Sequence, residues 1–183
     1  MTQATAACTR CPAELVTAIR GATARHADWS QTALLVADQL RSHLPSPDIL
    51  TAEEREGSPD GYVSHILHTE PDGAFSVCAV VWLPGQQTPI HDHVAWCVVG
   101  VMQGAEYEEL FALRAGDTAL EQVGSRVSRA GEVSGFAPPG DIHRVTNRGS
   151  GVAVSVNVYG ADLVRLGSSV RRTYDLPVLA PAL

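Results

Sequence analysis

An all-β core preceded by helices is the fold that the sequence predicts, and three observations predict it. Helical periodicity is confined to the first 44 residues. From Tyr62 onward the texture changes to short apolar runs separated by glycine, proline, asparagine and aspartate, the pattern of a β-sandwich or barrel. The helices come first and the strands afterwards, so a parallel α/β sheet is not expected.

Residues 12–44 read as helical. Pro12 and Glu14 suit a first turn, and Leu15, Ile19 and Ala22 share one face. Trp29, Ala33, Val36, Ala37 and Leu40 continue at helical spacing. Gly21 is expected to split the stretch into two helices, the second ending near Pro45-Ser-Pro47. Residues 51–61, rich in glutamate and closing on Gly57-Ser-Pro-Asp-Gly61, read as a short helix or loop. Strands are expected over 62–69, 74–83, 95–102, 106–114, 118–123, 133–137, 142–147 and 151–159, with turns at Pro71-Asp-Gly73, Pro84-Gly85 and Gly149-Ser-Gly151. The expected organisation is a helical segment (1–61) packed on a barrel (62–160), with a tail (161–183) that wraps the outside.

A chain of 183 residues with 45% hydrophobic residues is long enough to bury one substantial core. Its 13 basic and 20 acidic residues leave a formal charge of -7, which argues against nucleic acid or an anionic membrane as partner. All the basic residues are arginine, so lysine Schiff-base chemistry is excluded. No apolar run has the length of a membrane span and the N-terminus lacks the order of a secretory signal, so a cytoplasmic location is expected. Four cysteines (Cys8, Cys11, Cys78, Cys97) form no obvious disulfide framework. Cys8-Thr-Arg-Cys11 has CxxC spacing but no second pair, and a zinc or redox role is not expected there.

The chemistry concentrates in Gly85-Gln-Gln-Thr-Pro-Ile-His91-Asp-His93 and in Pro138-Pro-Gly140-Asp-Ile-His143. Side chains one residue apart on an extended strand project to the same side, so His91 and His93 can share one ion. His143, beside a turn of its own, is the natural third ligand. His26 and His43 fit solvated helix faces, and His65 and His68 lie outside the pattern.

These two stretches resemble the motifs of the cupin superfamily: Gly85, His91, His93 and Gly104 in the first, Pro138, Gly140, His143 and Asn147 in the second. The glutamate position of the first motif falls on Cys97 or Val98, so the usual fourth ligand is missing. That gap, with His143-Arg-Val-Thr-Asn147 and Ser155-Val-Asn157-Val-Tyr159, makes the chain similar to the thiol dioxygenases of the cysteine dioxygenase type. The resemblance implies a double-stranded β-helix (an RmlC-like jelly-roll barrel). It also implies iron(II) held by His91, His93 and His143, O2 as co-substrate, and a small thiol such as cysteine or a mercapto acid as substrate. The product would be a sulfinate or a further sulfur product. Imidazole ligands suit nickel(II) and other divalent ions as well.

Three departures from the family pattern stand out. The family's Ser-x-His-x-Tyr relay reads Ser155, Asn157 and Tyr159 here, and asparagine does not titrate near neutrality. The arginine that holds a substrate carboxylate is replaced at the matching position by Ser64, next to His65. Arg144, Arg165, Arg171 or Arg172 remain as substitutes, although Arg144 alternates away from His143 on a regular strand. Cys97 lies one residue before the position of the family's tyrosine-linked cysteine and is expected to face away from Tyr159. Trp96 fits either a pocket wall or core packing. Two other functions stay open: oxygenative C–C cleavage of a diketone-like substrate, and ligand binding without catalysis.

Overall fold

The computed structural model describes residues 10–179. Its first helix, α1 (Ala13–Thr23), buries Leu15, Val16, Ile19 and Ala22; the second, α2 (Trp29–Ser42), buries Ala33, Val36, Ala37 and Leu40. The break between them lies at residues 24–28 and not at Gly21, which sits inside α1. A helical glycine costs about 1 kcal/mol relative to alanine, which burial of the apolar face outweighs. The real stop is His26 in the left-handed region, followed by Asp28, whose carboxylate accepts the Gln31 amide at 2.8 Å and caps α2. A short helix α3 (Ala52–Glu56) follows, opened by a Thr51–Glu54 capping box.

Among the described residues, eleven strands then build two sheets. They are β1 (Val63–Thr69), β2 (Ser76–Trp82), β3 (His91–His93), β4 (Cys97–Gln103), β5 (Ala105–Leu113), β6 (Leu120–Arg129), β7 (Val133–Phe136), β8 (His143–Thr146), β9 (Ala153–Tyr159), β10 (Val170–Thr173) and β11 (Val178–Leu179), with a one-turn helix α4 (Leu163–Leu166) after β9. One sheet runs β1-β2-β9-β4-β7 and the other β10-β3-β8-β5-β6-β11, a two-sheet jelly roll.

Alternation decides what each strand shows to either side. Val77, Ala79 and Val81 on β2, and Val154, Val156 and Val158 on β9, join the core under α1 and α2. Cys78, Val80 and Trp82, with Asn157 and Tyr159, face the cavity between the sheets. Because both faces are covered, these strands read as continuous apolar runs. Glycine permits the close approach of α2 and the residues after it: a Cβ on Gly100 would stand 3.1 Å from Leu40 Cδ2 and 2.6 Å from Leu44 Cδ1.

Two features of the second sheet differ from the sequence expectation. β6 continues to Arg129 instead of stopping near residue 123, because β5 carries it on through a register shift at Leu110–Phe111. The tail does more than wrap the outside: β10 pairs with β3 (Val170 with His93, Thr173 with His91), and β11 runs parallel to β6. Neither short strand has an apolar period of its own to announce it. None of the described helices is long and apolar enough to cross a membrane.

A sensitive contact sits where β9 ends. A Cβ on Gly160 would stand 2.2 Å from Nε1 of the buried Trp96. Gly160→Ala is expected to lower stability by about 1–3 kcal/mol through overpacking, read as a drop in the urea midpoint. An unchanged midpoint would show that Trp96 can yield.

Candidate metal centre

His91 and His93 occupy the first and last positions of the three-residue strand β3, and His143 opens β8 as the direct cross-strand partner of His91. The three imidazoles are 5, 3 and 4% exposed, and one ligand atom from each lies within 4.8 Å of the others. Every Nδ1 already has a partner. His91 Nδ1 lies 3.0 Å from the Pro89 carbonyl, His93 Nδ1 lies 3.1 Å from Asp141 Oδ2, and His143 Nδ1 donates to Glu108 Oε1. Three acceptors therefore hold the protons on Nδ1 and leave the Nε2 lone pairs free. His91 Nε2 and His143 Nε2 stand only 3.3 Å apart. Two lone pairs at that distance repel unless a cation lies between them, so the donor set suits a divalent metal.

The electrostatics keep the ligands neutral. Burial, reinforced by His143 and His93, pushes His91 down to about 3. Burial also lowers His93, against the opposing hydrogen bond of Asp141. Burial pushes the Glu108 carboxyl up, but the hydrogen bond and charge of His143, with Arg126, hold it below the usual carboxylate range. Asp141 likewise stays low, since burial is outweighed by the side chain and backbone amide of His93. Asp92, between the two strand ligands, is tied to Arg171 and to the Tyr174 hydroxyl at 2.7 Å, so the tail braces β3 from its far side.

The site opens onto a cavity of about 320 Å³ walled by both sheets, whose lining includes Ser64, Trp82, Glu106, Phe136, Asn157 and Tyr159. The Tyr159 ring stacks beside His93 at 6.1 Å. Ser155 is fully buried and accepts a hydrogen bond from Asn157 Nδ2 at 3.1 Å. Three expected substrate contacts lie elsewhere. His65 alternates to the opposite face of β1, with Nδ1 3.6 Å from Glu54. Arg144 alternates away from His143 and is held by Glu109 at 2.9 Å. Trp96 packs in the core beneath the helices.

Cys97 reverses the sequence expectation. It is the cross-strand partner of Tyr159, lines the cavity beside it and takes a hydrogen bond from its hydroxyl. The reason is that residues 94–96 carry the chain from one sheet to the other, so a count of facing along a single strand does not survive the crossing. His43 is half-buried, not solvated, and its Nδ1 lies 2.9 Å from the Gln39 carbonyl. Cys8 lies outside the described residues; Cys11 is buried, and burial pushes its thiol up to about 12. The sequence reading missed Asp141, Glu108 and Asp92. Asp141 and Asp92 had a signal in their positions beside the ligands, whereas Glu108 had none, being 35 residues from His143.

A buried three-imidazole set inside a jelly-roll barrel defines a cupin with a metal site. The model of the cysteine dioxygenase type I family matches residues 54–167, and the chain belongs to that family. Among solved structures the chain is similar to recombinant oxalate oxidase in complex with glycolate, at 23% identity and a TM-score of 0.46 over 66% of this chain and 63% of that one. It thus spans less than two thirds of that oxidase chain. An RmlC-like cupin protein from Desulfovibrio desulfuricans matches at 17% identity and a TM-score of 0.41, over 56% of this chain and 86% of that one.

Proposed function

We propose that this protein is a metal-dependent dioxygenase that oxidises the sulfur of a small thiol to a sulfinate, with iron(II) as its metal. In that reaction the thiol and O2 combine without loss of either oxygen atom, and sulfur supplies the electrons that O2 accepts. The observation that carries the reading is the convergence of three Nε2 lone pairs whose Nδ1 atoms are already bound. An iron(II) ion there would supply Lewis acidity toward a thiolate and a redox partner for O2.

The protein's own residues set the conditions. Neutral imidazoles leave a dication's charge uncompensated, which favours a thiolate over a neutral thiol. Val80, Val99, Val145 and Phe136 make part of the cavity wall apolar. Burial pushes the Tyr159 phenol well above its usual value, so it keeps its proton and donates within the cavity. Asn157, held by Ser155, orients without titrating. Three buried free thiols among the described residues fit a reducing compartment such as the cytoplasm.

The test is metal content after purification without added metal, then oxygen uptake on anaerobic loading with iron(II) or nickel(II), across thiols and diketones. Thiol-dependent uptake with iron(II) is expected. Uptake with a diketone alone would overturn the reading in favour of C–C cleavage. Tyr159→Phe is expected to slow turnover at least about tenfold, as removal of a positioned proton donor does, with metal content unchanged. An unaltered rate would remove Tyr159 from the reaction.

A further inference from the structure

The cavity holds a carboxyl group that the family reading does not use. Glu106, on β5, turns inward on the same side as Glu108, is 6% exposed and lines the cavity. The two carboxylates differ in their company. Both oxygens of Glu108 are taken, one by His143 and one by Arg126. Glu106 forms no ion pair among the described residues, and its Oε1 is buried without a hydrogen-bond partner. Burial pushes the Glu106 carboxyl up, and the neighbouring Ser155 hydroxyl and Trp82 indole N–H oppose that shift. Its Oε1 and Trp82 Nε1 are nonetheless both buried without a hydrogen bond of good geometry. Glu106 stands outside the group of ligand atoms gathered by the three histidines.

The other half of the observation concerns cations. None of the thirteen arginines lines the cavity, and the chain has no lysine. The only histidines on its wall are His91, His93 and His143. A substrate carboxylate would meet no side-chain cation to pair with away from the metal, and would be buried with a second carboxyl group. A donor group on the substrate would satisfy the open Glu106 oxygen.

Resting on the thiol-oxidising reading, we propose that Glu106 is a specificity-determining residue that holds the amino group of a small aminothiol lacking a carboxylate. The sulfur end faces the three histidines, and the ammonium end hydrogen-bonds Glu106 Oε1.

The test compares aminoethanethiol, cysteine and mercaptopropionate. Oxygen uptake is measured on the iron(II)-loaded protein, and anaerobic thiol binding is read from the absorption of the cobalt(II)-loaded protein. The wild-type chain is expected to favour aminoethanethiol over mercaptopropionate by about tenfold or more in kcat/KM, since a site built to bond one polar group discriminates against a partner lacking it. Glu106→Gln and Glu106→Leu are expected to shrink that ratio toward one, mainly through KM, with metal content retained. Three results would overturn the proposal: wild-type preference for mercaptopropionate, an equal loss with every thiol in both variants, or loss of metal in both variants, which would place Glu106 in the metal centre. Thiol binding to the cobalt(II) protein without any uptake would overturn the activity reading alone, because the binding ratio still decides Glu106. Absence of binding by every thiol would overturn both.

Discussion

Replacing His91 or His143 by alanine is expected to abolish stoichiometric metal binding, and oxygen uptake with it. The physical reason is the economy of the set. With no carboxylate ligand in the group, each imidazole is a third of the protein's donors. Two remaining nitrogens cannot cage an ion that must also leave positions open to substrate. His143 is the more informative site, because its loss also leaves Glu108 and Arg126 without the imidazole that completes their triad. Metal per protein is measured by elemental analysis after dialysis, beside a far-ultraviolet spectrum to establish folding. Folded variants that both retain one ion per chain would refute the centre.

Glu108 carries the second large effect. It holds the Nδ1 proton of His143 and so aims Nε2 at the other two imidazoles. Glu108→Gln keeps an acceptor oxygen but removes the charge that pairs with Arg126. Glu108→Ala removes both. Loss of a group that orients a ligand typically lowers metal affinity about 10- to 100-fold, with the glutamine variant expected near the lower figure and the alanine variant near the upper. Competition against a chelator of known affinity reads the difference. Equal affinity in both variants and the wild type would mean that β8 alone positions His143.

Much of this was legible along the chain, for reasons particular residues make plain. His91 and His93 share a side because the period of a strand is two. The helix faces of Leu15, Ile19, Val36 and Leu40 were legible because a 3.6-residue period survives in any surroundings. Period also placed Arg144 correctly on the far side from His143. It failed at Cys97, where the chain changes sheets, and at Gly21, where burial overrode propensity. It was silent about β10 and β11, which exist only because β3 and β6 offer edges for them.

The sequence by itself determined the fold class, helices before an all-β core, and the shared side of His91 and His93, because strand and helix periods and the His-x-His spacing are local properties of the backbone. Only the tertiary structure decided what surrounds the three histidines: Asp141 and Glu108 on the imidazoles, Cys97 beside Tyr159, and Glu106 in a cavity without arginine. Those neighbours come from different strands and different sheets. Which of them meet depends on register and on the crossing between sheets, and no period along the chain records either.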